Sequence, residues 1–301
     1  MSQTIAVVFP GQGSQKLGML ADAAAHYPQI KQTFEEAADA LGYDLWSIVQ
    51  ADGEKLNQTT YTQPALLAAG IALWRVARHN QALNPAFLAG HSLGEYTALV
   101  AAGAMAFADA LQVVALRGKF MQSAVPAGQG AMAACLGLAD DVVTDVCAQA
   151  AQGQVLAPVN FNSPGQVVIA GEKEAVERAM PLAKEAGARK VVLLPVSVPS
   201  HCALMLPAAE QLATVLADVE IQAPQCPVIH NVDVAVHGSA EQIREALVKQ
   251  LSAPVRWVET IELMASRGVE AIYESGPGKV LTGLNKRIVS GVACAPMSYD
   301  M

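Results

Sequence analysis

Ala86-Phe87-Leu88-Ala89-Gly90-His91-Ser92-Leu93-Gly94-Glu95-Tyr96 is the stretch that decides the fold. Ala86 to Ala89 is an apolar run too short for a helix, and Glu95 to Gly103 reads as an Ala-rich helix closed by its glycine. Between them Gly90-His91-Ser92-Leu93-Gly94 has the G-x-S-x-G pattern of a nucleophile elbow. There the glycines let the backbone turn sharply enough to expose the serine hydroxyl at the strand's carboxyl end. The helix behind the turn directs main-chain N–H groups and its positive dipole end at the same spot. So short a pattern arises by chance in a chain rich in Ala and Gly; the strand before it and the helix after it give it meaning.

The same strand-loop-helix unit recurs outward from the elbow. Ile5-Ala6-Val7-Val8-Phe9 is a continuous apolar run ending at Pro10-Gly11, as expected of a buried parallel strand. Val269 to Tyr273 runs into Gly276-Pro277-Gly278 and a helical stretch from Lys279. Repeated units of this kind imply an α/β sheet. The middle of the chain is ordered differently. Strand over Gly130–Leu138, helix over Asp140–Ala151, strands over Val155–Phe161 and Gln166–Ala170, helix over Glu172–Gly187 and strand over Lys190–Val198 give β-α-β-β-α-β, the ferredoxin-like arrangement. Asn162-Ser163-Pro164-Gly165 supplies the hairpin turn. The expected division is a small ferredoxin-like subdomain at 124–204 inserted into a large α/β subdomain made of 1–123 and 205–301.

Composition narrows the function. The 301 residues are 52% hydrophobic and 15% charged, enough to bury a large core. No apolar stretch approaches the roughly 20 residues that span a bilayer. The start lacks a basic n-region and its apolar run breaks at Pro10-Gly11, so neither a membrane segment nor a signal peptide is expected, and the cytoplasm is the expected compartment. Five cysteines at spacings that match no zinc or C-x-x-C pattern fit reduced thiols, with no metal or disulfide indicated. A formal charge of −8 argues against nucleic acid as a partner.

A serine hydroxyl needs a base, and histidine has the right pKa near neutrality. Of the six histidines, His26, His79 and His237 lie in polar segments, and His91 is expected to point away from the serine's side. His230, after Pro227-Val228-Ile229, reads as a core histidine, and His201 lies at the junction of the two subdomains where clefts form. No acid stands out as a third member of a triad. Cys202, next to His201, is read as a packing residue. Gly11-Gln12-Gly13-Ser14-Gln15 lacks the endings of a nucleotide-binding loop and suits an oxyanion loop, the main-chain N–H groups of Gln12 and Leu93 being the donors. Arg117 falls on the apolar stripe of a helix over 107–121, with Ala110, Val113, Val114 and Met121. Once buried it needs an anion or polar partners: a structural salt bridge or a snorkelling side chain is one reading, and a substrate carboxylate, which a planar guanidinium suits bidentately, is the other.

Taken in order, Phe9-Pro10-Gly11-Gln12-Gly13-Ser14-Gln15, Gly90 to Tyr96, Arg117-Gly118, Val198-Pro199-Ser200-His201 and Gly276-Pro277-Gly278-Lys279 resemble the malonyl-CoA:acyl carrier protein transacylase family. The resemblance covers essentially the whole chain. It implies an α/β-hydrolase-like large subdomain with a ferredoxin-like insert, Ser92 as the acylated nucleophile and His201 as its base. Arg117 would hold the malonyl carboxylate, and the N–H groups of Gln12 and Leu93 would form the oxyanion hole. The family uses a main-chain carbonyl from the segment matching Gln250-Leu251 to orient the histidine, which implies a dyad in place of a triad, and Ser200-His201 resembles its malonyl-selecting form. Malonyl-CoA and acyl carrier protein are the implied substrates. No cofactor is expected, the chain is expected to act as a monomer, and Lys279, Lys286 and Arg287 are the expected docking patch for the carrier. The family pattern also leads to the expectation of a somewhat longer tail after Met297-Ser298-Tyr299. An esterase or thioesterase using the same elbow is the rival reading.

Overall fold

In the computed structural model, residues 3–80, 83–196 and 198–298 are described. Nine strands make two sheets: β1 (Ile5–Phe9), β2 (Phe87–Gly90), β3 (Gly130–Leu136), β4 (Leu156–Ser163), β5 (Gln166–Glu172), β6 (Lys190–Leu193), β7 (Val228–Ile229), β8 (Ala271–Glu274) and β9 (Ala293–Pro296). The first sheet has the order β7-β2-β1-β8-β9, every pair parallel.

β1 is central, and Ala6 to Phe9 are wholly buried because both faces of a parallel sheet are covered. The alternation of side chains sends Val7 and Phe9 into one core, with the long helix Thr59–Asn80 and the helix Phe107–Ala124. Ala6 and Val8 go into the other core, with Trp257, Ile261 and Leu281. The register sets Phe9 beside Gly90, so the loop after β1 and the elbow after β2 leave the sheet side by side at its carboxyl edge. Ligands bind at such an edge in open α/β sheets.

The elbow requires both of its glycines for close packing. A Cβ at Gly90 would lie 1.8 Å from the Gly94 carbonyl carbon, and one at Gly94 would lie 2.1 Å from the Phe9 carbonyl oxygen. The helix that follows, Gly94–Ala101, is thereby pressed against the end of β1.

The second sheet is antiparallel with order β4-β5-β3-β6, the ferredoxin-like order. Its hairpin turns through Pro164-Gly165, Gly165 taking a φ of +70°. Helices Asp140–Ala151 and Lys173–Glu185 cover one face through Val143, Val146, Val176 and Ala179. The other face, with Met132, Val159, Val168 and Ala170, turns towards Cys202. Main-chain bonds from Val255 N to Val159 O (2.9 Å) and from Phe161 N to Val255 O (3.1 Å) tie β4 to the large sheet's layer.

Element ends differ from the expected ones by one to three residues, with one larger difference. The strand expected over Lys190–Val198 stops at Leu193. Pro195 has no N–H to offer a ladder, and Val196 N turns back to Leu194 O at 2.8 Å. The expectation at Ser197 lies outside the described residues. The segment after Leu193 instead carries Leu194, Val196 and Val198 over the carboxyl edge of the large sheet. Among the described residues no helix is long and apolar enough to cross a membrane, and no cluster of His, Cys, Asp and Glu could hold a metal ion.

Candidate active site

Ser92 sits at the tip of the elbow with φ +54°, a left-handed conformation that a side chain rarely takes and that concentrates at functional sites. His201 is also left-handed, with φ +65°. Its main-chain N–H donates to Leu251 O at 3.0 Å, which presents the imidazole to the elbow. His201 Nε2 lies 2.8 Å from Ser92 Oγ, and Nδ1 lies 2.7 Å from the main-chain oxygen of Gln250. A carbonyl only accepts, so Nδ1 carries the proton and Nε2 presents its lone pair to the serine hydroxyl. Among the described residues no carboxylate holds the imidazole, so the arrangement is a dyad oriented by a carbonyl.

Burial first, and then the charge of Arg117, push the His201 imidazole down from its ordinary 6.5 to about 3. It is therefore neutral, and able to accept a proton, across the physiological range.

Arg117 is 1% exposed. Its terminal nitrogens donate to Gln63 Oε1 (2.8 Å), Gln250 Oε1 (2.9 Å) and Ser92 Oγ (3.1 Å), and its guanidinium lies 5.5 Å from the centre of the Tyr96 ring. Among the described residues no carboxylate lies within 4 Å of it. Arg117 thus makes no direct salt bridge to a described residue and finds polar partners instead, the buried Glu95 carboxylate acting on it only through space. A guanidinium that keeps its charge is held by neutral oxygens, with one face towards Ser92.

The cavity around these groups is lined by Gln12, Ser92, Leu93, Arg117, Ser200 and His201, with Asn160 and Asn162 from β4 above them. At about 180 Å³, it is smaller than the roughly 300–1,000 Å³ of drug-sized pockets and suits a short acyl group. The main-chain N–H groups of Gln12 and Leu93 donate to no other described residue, leaving two donors open beside the serine. All seven expected site residues, Ser92, His201, Gln12, Leu93, Arg117, Ser200 and Gln250, therefore fall in one place.

The other histidines divide as follows. His230 is a wholly buried core histidine with Nδ1 2.7 Å from Glu95 Oε1, and His237 pairs with Asp233 at 2.8 Å. His26 and His79 are exposed. His91 corrects the expectation: it lines the same cavity as Ser92, with Nε2 2.8 Å from Asn162 Oδ1 and its ring 5.5 Å from that of Trp257. Trp257 and Asn162 draw the ring over the cavity instead of away from it. Burial pushes the Cys202 thiol up to about 11, and it donates to Pro199 O at 3.2 Å, which agrees with a packing role.

Several site residues escaped the sequence reading. Gln63 holds Arg117 from the start of a helix more than fifty positions away, and nothing local marks it. The side chain of Gln250, as distinct from its carbonyl, joins Arg117, Ser92 O and Glu95. Asn160 and Asn162 did carry a signal: asparagine is depleted in strands, and two of them at i and i+2 share a face.

A profile of the acyl transferase domain matches residues 6–289. The chain is 58% identical over 294 residues to the malonyl CoA-acyl carrier protein transacylase of Escherichia coli K12, covering 97% of this chain and 95% of that one. Among solved structures it resembles an acyl carrier protein S-malonyltransferase from Vibrio cholerae, with 59% identity, a TM-score of 0.96 and coverage of 99% and 98%. It also resembles a malonyl-transacylase solved in complex with its type II PKS acyl-carrier protein, with 57% identity, a TM-score of 0.97 and coverage of 99% and 97%. The site built on Ser92 and His201, the paired sheets and this likeness over nearly the whole length agree: the chain belongs to the acyl transferase domain family, among the malonyl-CoA:acyl carrier protein transacylases.

Proposed function

We propose that this chain transfers a malonyl group from malonyl-CoA to the phosphopantetheine thiol of an acyl carrier protein, through a malonyl ester on Ser92, in the supply of fatty acid biosynthesis. The observation that carries the reading is Arg117: a buried guanidinium hydrogen-bonded to the nucleophile, with no carboxylate in direct contact with it among the described residues, suits a substrate that brings one.

In the first half-reaction Ser92 Oγ attacks the thioester carbonyl as its proton passes to His201 Nε2. The carbonyl oxygen becomes an oxyanion facing the N–H groups of Gln12 and Leu93. As the tetrahedral intermediate collapses, the carbon–sulfur bond breaks, the departing thiol takes the proton from His201, and Ser92 keeps the malonyl group. In the second half-reaction the carrier's thiol gives its proton to His201 and attacks the ester. Ser92 leaves with that proton restored, so no cofactor is needed for the balance. The carbonyl of Gln250 holds Nδ1–H throughout, and Ser200 closes the wall beside the malonyl group. Every group in the scheme comes from one copy of the chain, so the proposed reaction asks nothing of a second copy. A cytoplasmic setting is part of the same proposal.

The carrier docks, on this reading, at Lys279, Lys286 and Arg287, exposed on and beside the helix Val280–Ile288. Arg287 reaches across to Gln166 Oε1 of the small subdomain at 2.8 Å, so the patch spans the two sheets' layers. Reversing the charges of Lys286 and Arg287 is expected to raise KM for the carrier severalfold and to leave that for malonyl-CoA unchanged; equal rises in both would refute the patch.

The reading is tested by initial-rate kinetics with malonyl-CoA and carrier protein, for which parallel double-reciprocal lines are expected. Replacing Arg117 by Ala should remove charge-assisted bonds of about 1.5–3 kcal/mol each and lower the preference for malonyl over acetyl by at least about tenfold. An unchanged preference would contradict the assignment.

The depressed imidazole gives a pH dependence of definite sign. A base neutral down to about 3 loses activity only as the pH falls towards that value. The kcat/KM for malonyl-CoA should therefore stay level from about pH 8 to about pH 5. A fall centred near the ordinary imidazole pKa would contradict it.

A further inference from the structure

The nucleophile's backbone is held by a residue that takes no part in the scheme above. Ser92 N donates to Asn231 Oδ1 at 2.7 Å, and Asn231 Nδ2 donates to Gly90 O at 2.7 Å. One carboxamide thus spans the elbow from the residue before the turn to the serine itself. The two bonds fix which way the amide faces, since a flipped amide would set donor against donor and acceptor against acceptor. Asn231 is fully buried, two residues after β7, the edge strand paired with β2.

Asn231 is itself held. Its main-chain N–H donates to Glu95 Oε2 at 2.9 Å, and the same oxygen accepts from Gln250 Nε2 at 2.9 Å. Glu95 Oε1 is taken by His230, so the carboxylate, wholly buried, is satisfied on both oxygens. Gln250 returns to the elbow by donating to Ser92 O at 3.0 Å. The N–H and the C=O of Ser92 are therefore each gripped by a side-chain amide; Glu95 holds the Gln250 amide directly and Asn231 by its main-chain N–H.

We infer that Asn231 is a positioning residue: it clamps Ser92 in its left-handed conformation, and Glu95 sets that clamp in register with Gln250, which carries His201 and Arg117. The inference rests on the acyl transfer reading of Ser92 but not on the identity of the acyl group. A left-handed serine is unfavourable on its own, and without the clamp the elbow relaxes and moves Oγ away from His201 Nε2. A displacement of about 1 Å at a nucleophile costs on the order of 10²-fold in rate.

The test uses the full chain and a fluorophosphonate, which reacts with an activated serine and carries no malonyl group. Asn231→Ala, compared with wild type at equal concentrations of folded protein, is expected to label about 10²-fold more slowly at Ser92. Its kcat/KM for malonyl-CoA should fall by the same factor, with the preference for malonyl over acetyl unchanged. Labelling within threefold of wild type would overturn the inference. A second measurement needs no variant: in wild-type protein the Ser92 amide proton, followed by NMR, should exchange with solvent far more slowly than an unbonded amide, and free exchange would overturn the clamp. Failure of the transferase reading would look different, as wild-type protein that reacts with the fluorophosphonate and not with malonyl-CoA.

Discussion

The rest of the site depends on one buried charge. Arg117 cannot release its proton, and burying an ion without a counter-ion is among the costlier things a protein can do. The chain meets that cost with neutral oxygens from three distant segments: Gln63 at the start of a long helix, Gln250 at the end of another and Ser92 on the elbow. The same charge helps keep His201 neutral and ready to accept a proton. Selectivity and the neutral state of the base thus share one source, and a substrate carboxylate would be the direct ion partner that Arg117 does not find among the described residues.

The fold exists to put these segments together. β1 and β2 run parallel in a register that ends both at the same edge, so an oxyanion loop and a nucleophile elbow emerge side by side. Gly94 allows a contact with the end of β1, and Gly90 one with the Gly94–Glu95 backbone, that no other residue would fit. The second sheet closes the space from above through Asn160, Asn162 and Met132, and the irregular segment after Leu193 brings His201 down onto the serine. Glu95, on the first turn of the elbow helix, is where the segments carrying Asn231 and Gln250 meet.

What the sequence made legible was local. A buried strand at Ile5–Phe9, a hairpin at Pro164-Gly165 and the elbow itself are written in neighbouring residues, because sterics and hydrogen bonding act within a few positions there. Arg117 was legible as a charge on an apolar stripe, though not whether its partner was a protein acid or a substrate. Gln63, Asn231 and the side chain of Gln250 were not legible, since each acts across more than fifty positions and has no distinctive neighbourhood. His91 and the length of β6 were misread for a related reason. The first depends on Trp257 and Asn162, both distant in the chain, and the second on how Pro195 and Val196 end a ladder that the apolar pattern would have continued.

The central claim is that Ser92 receives a malonyl group that then passes to a thiol. Intact-protein mass spectrometry after brief mixing with malonyl-CoA tests it most directly, with wild type beside Ser92→Ala and acyl carrier protein added last. The expected result is one malonyl group on the wild type, none on the variant, and transfer of that group to the carrier. An adduct that persists without Ser92, or one lost to water as fast as to the carrier, would contradict the account.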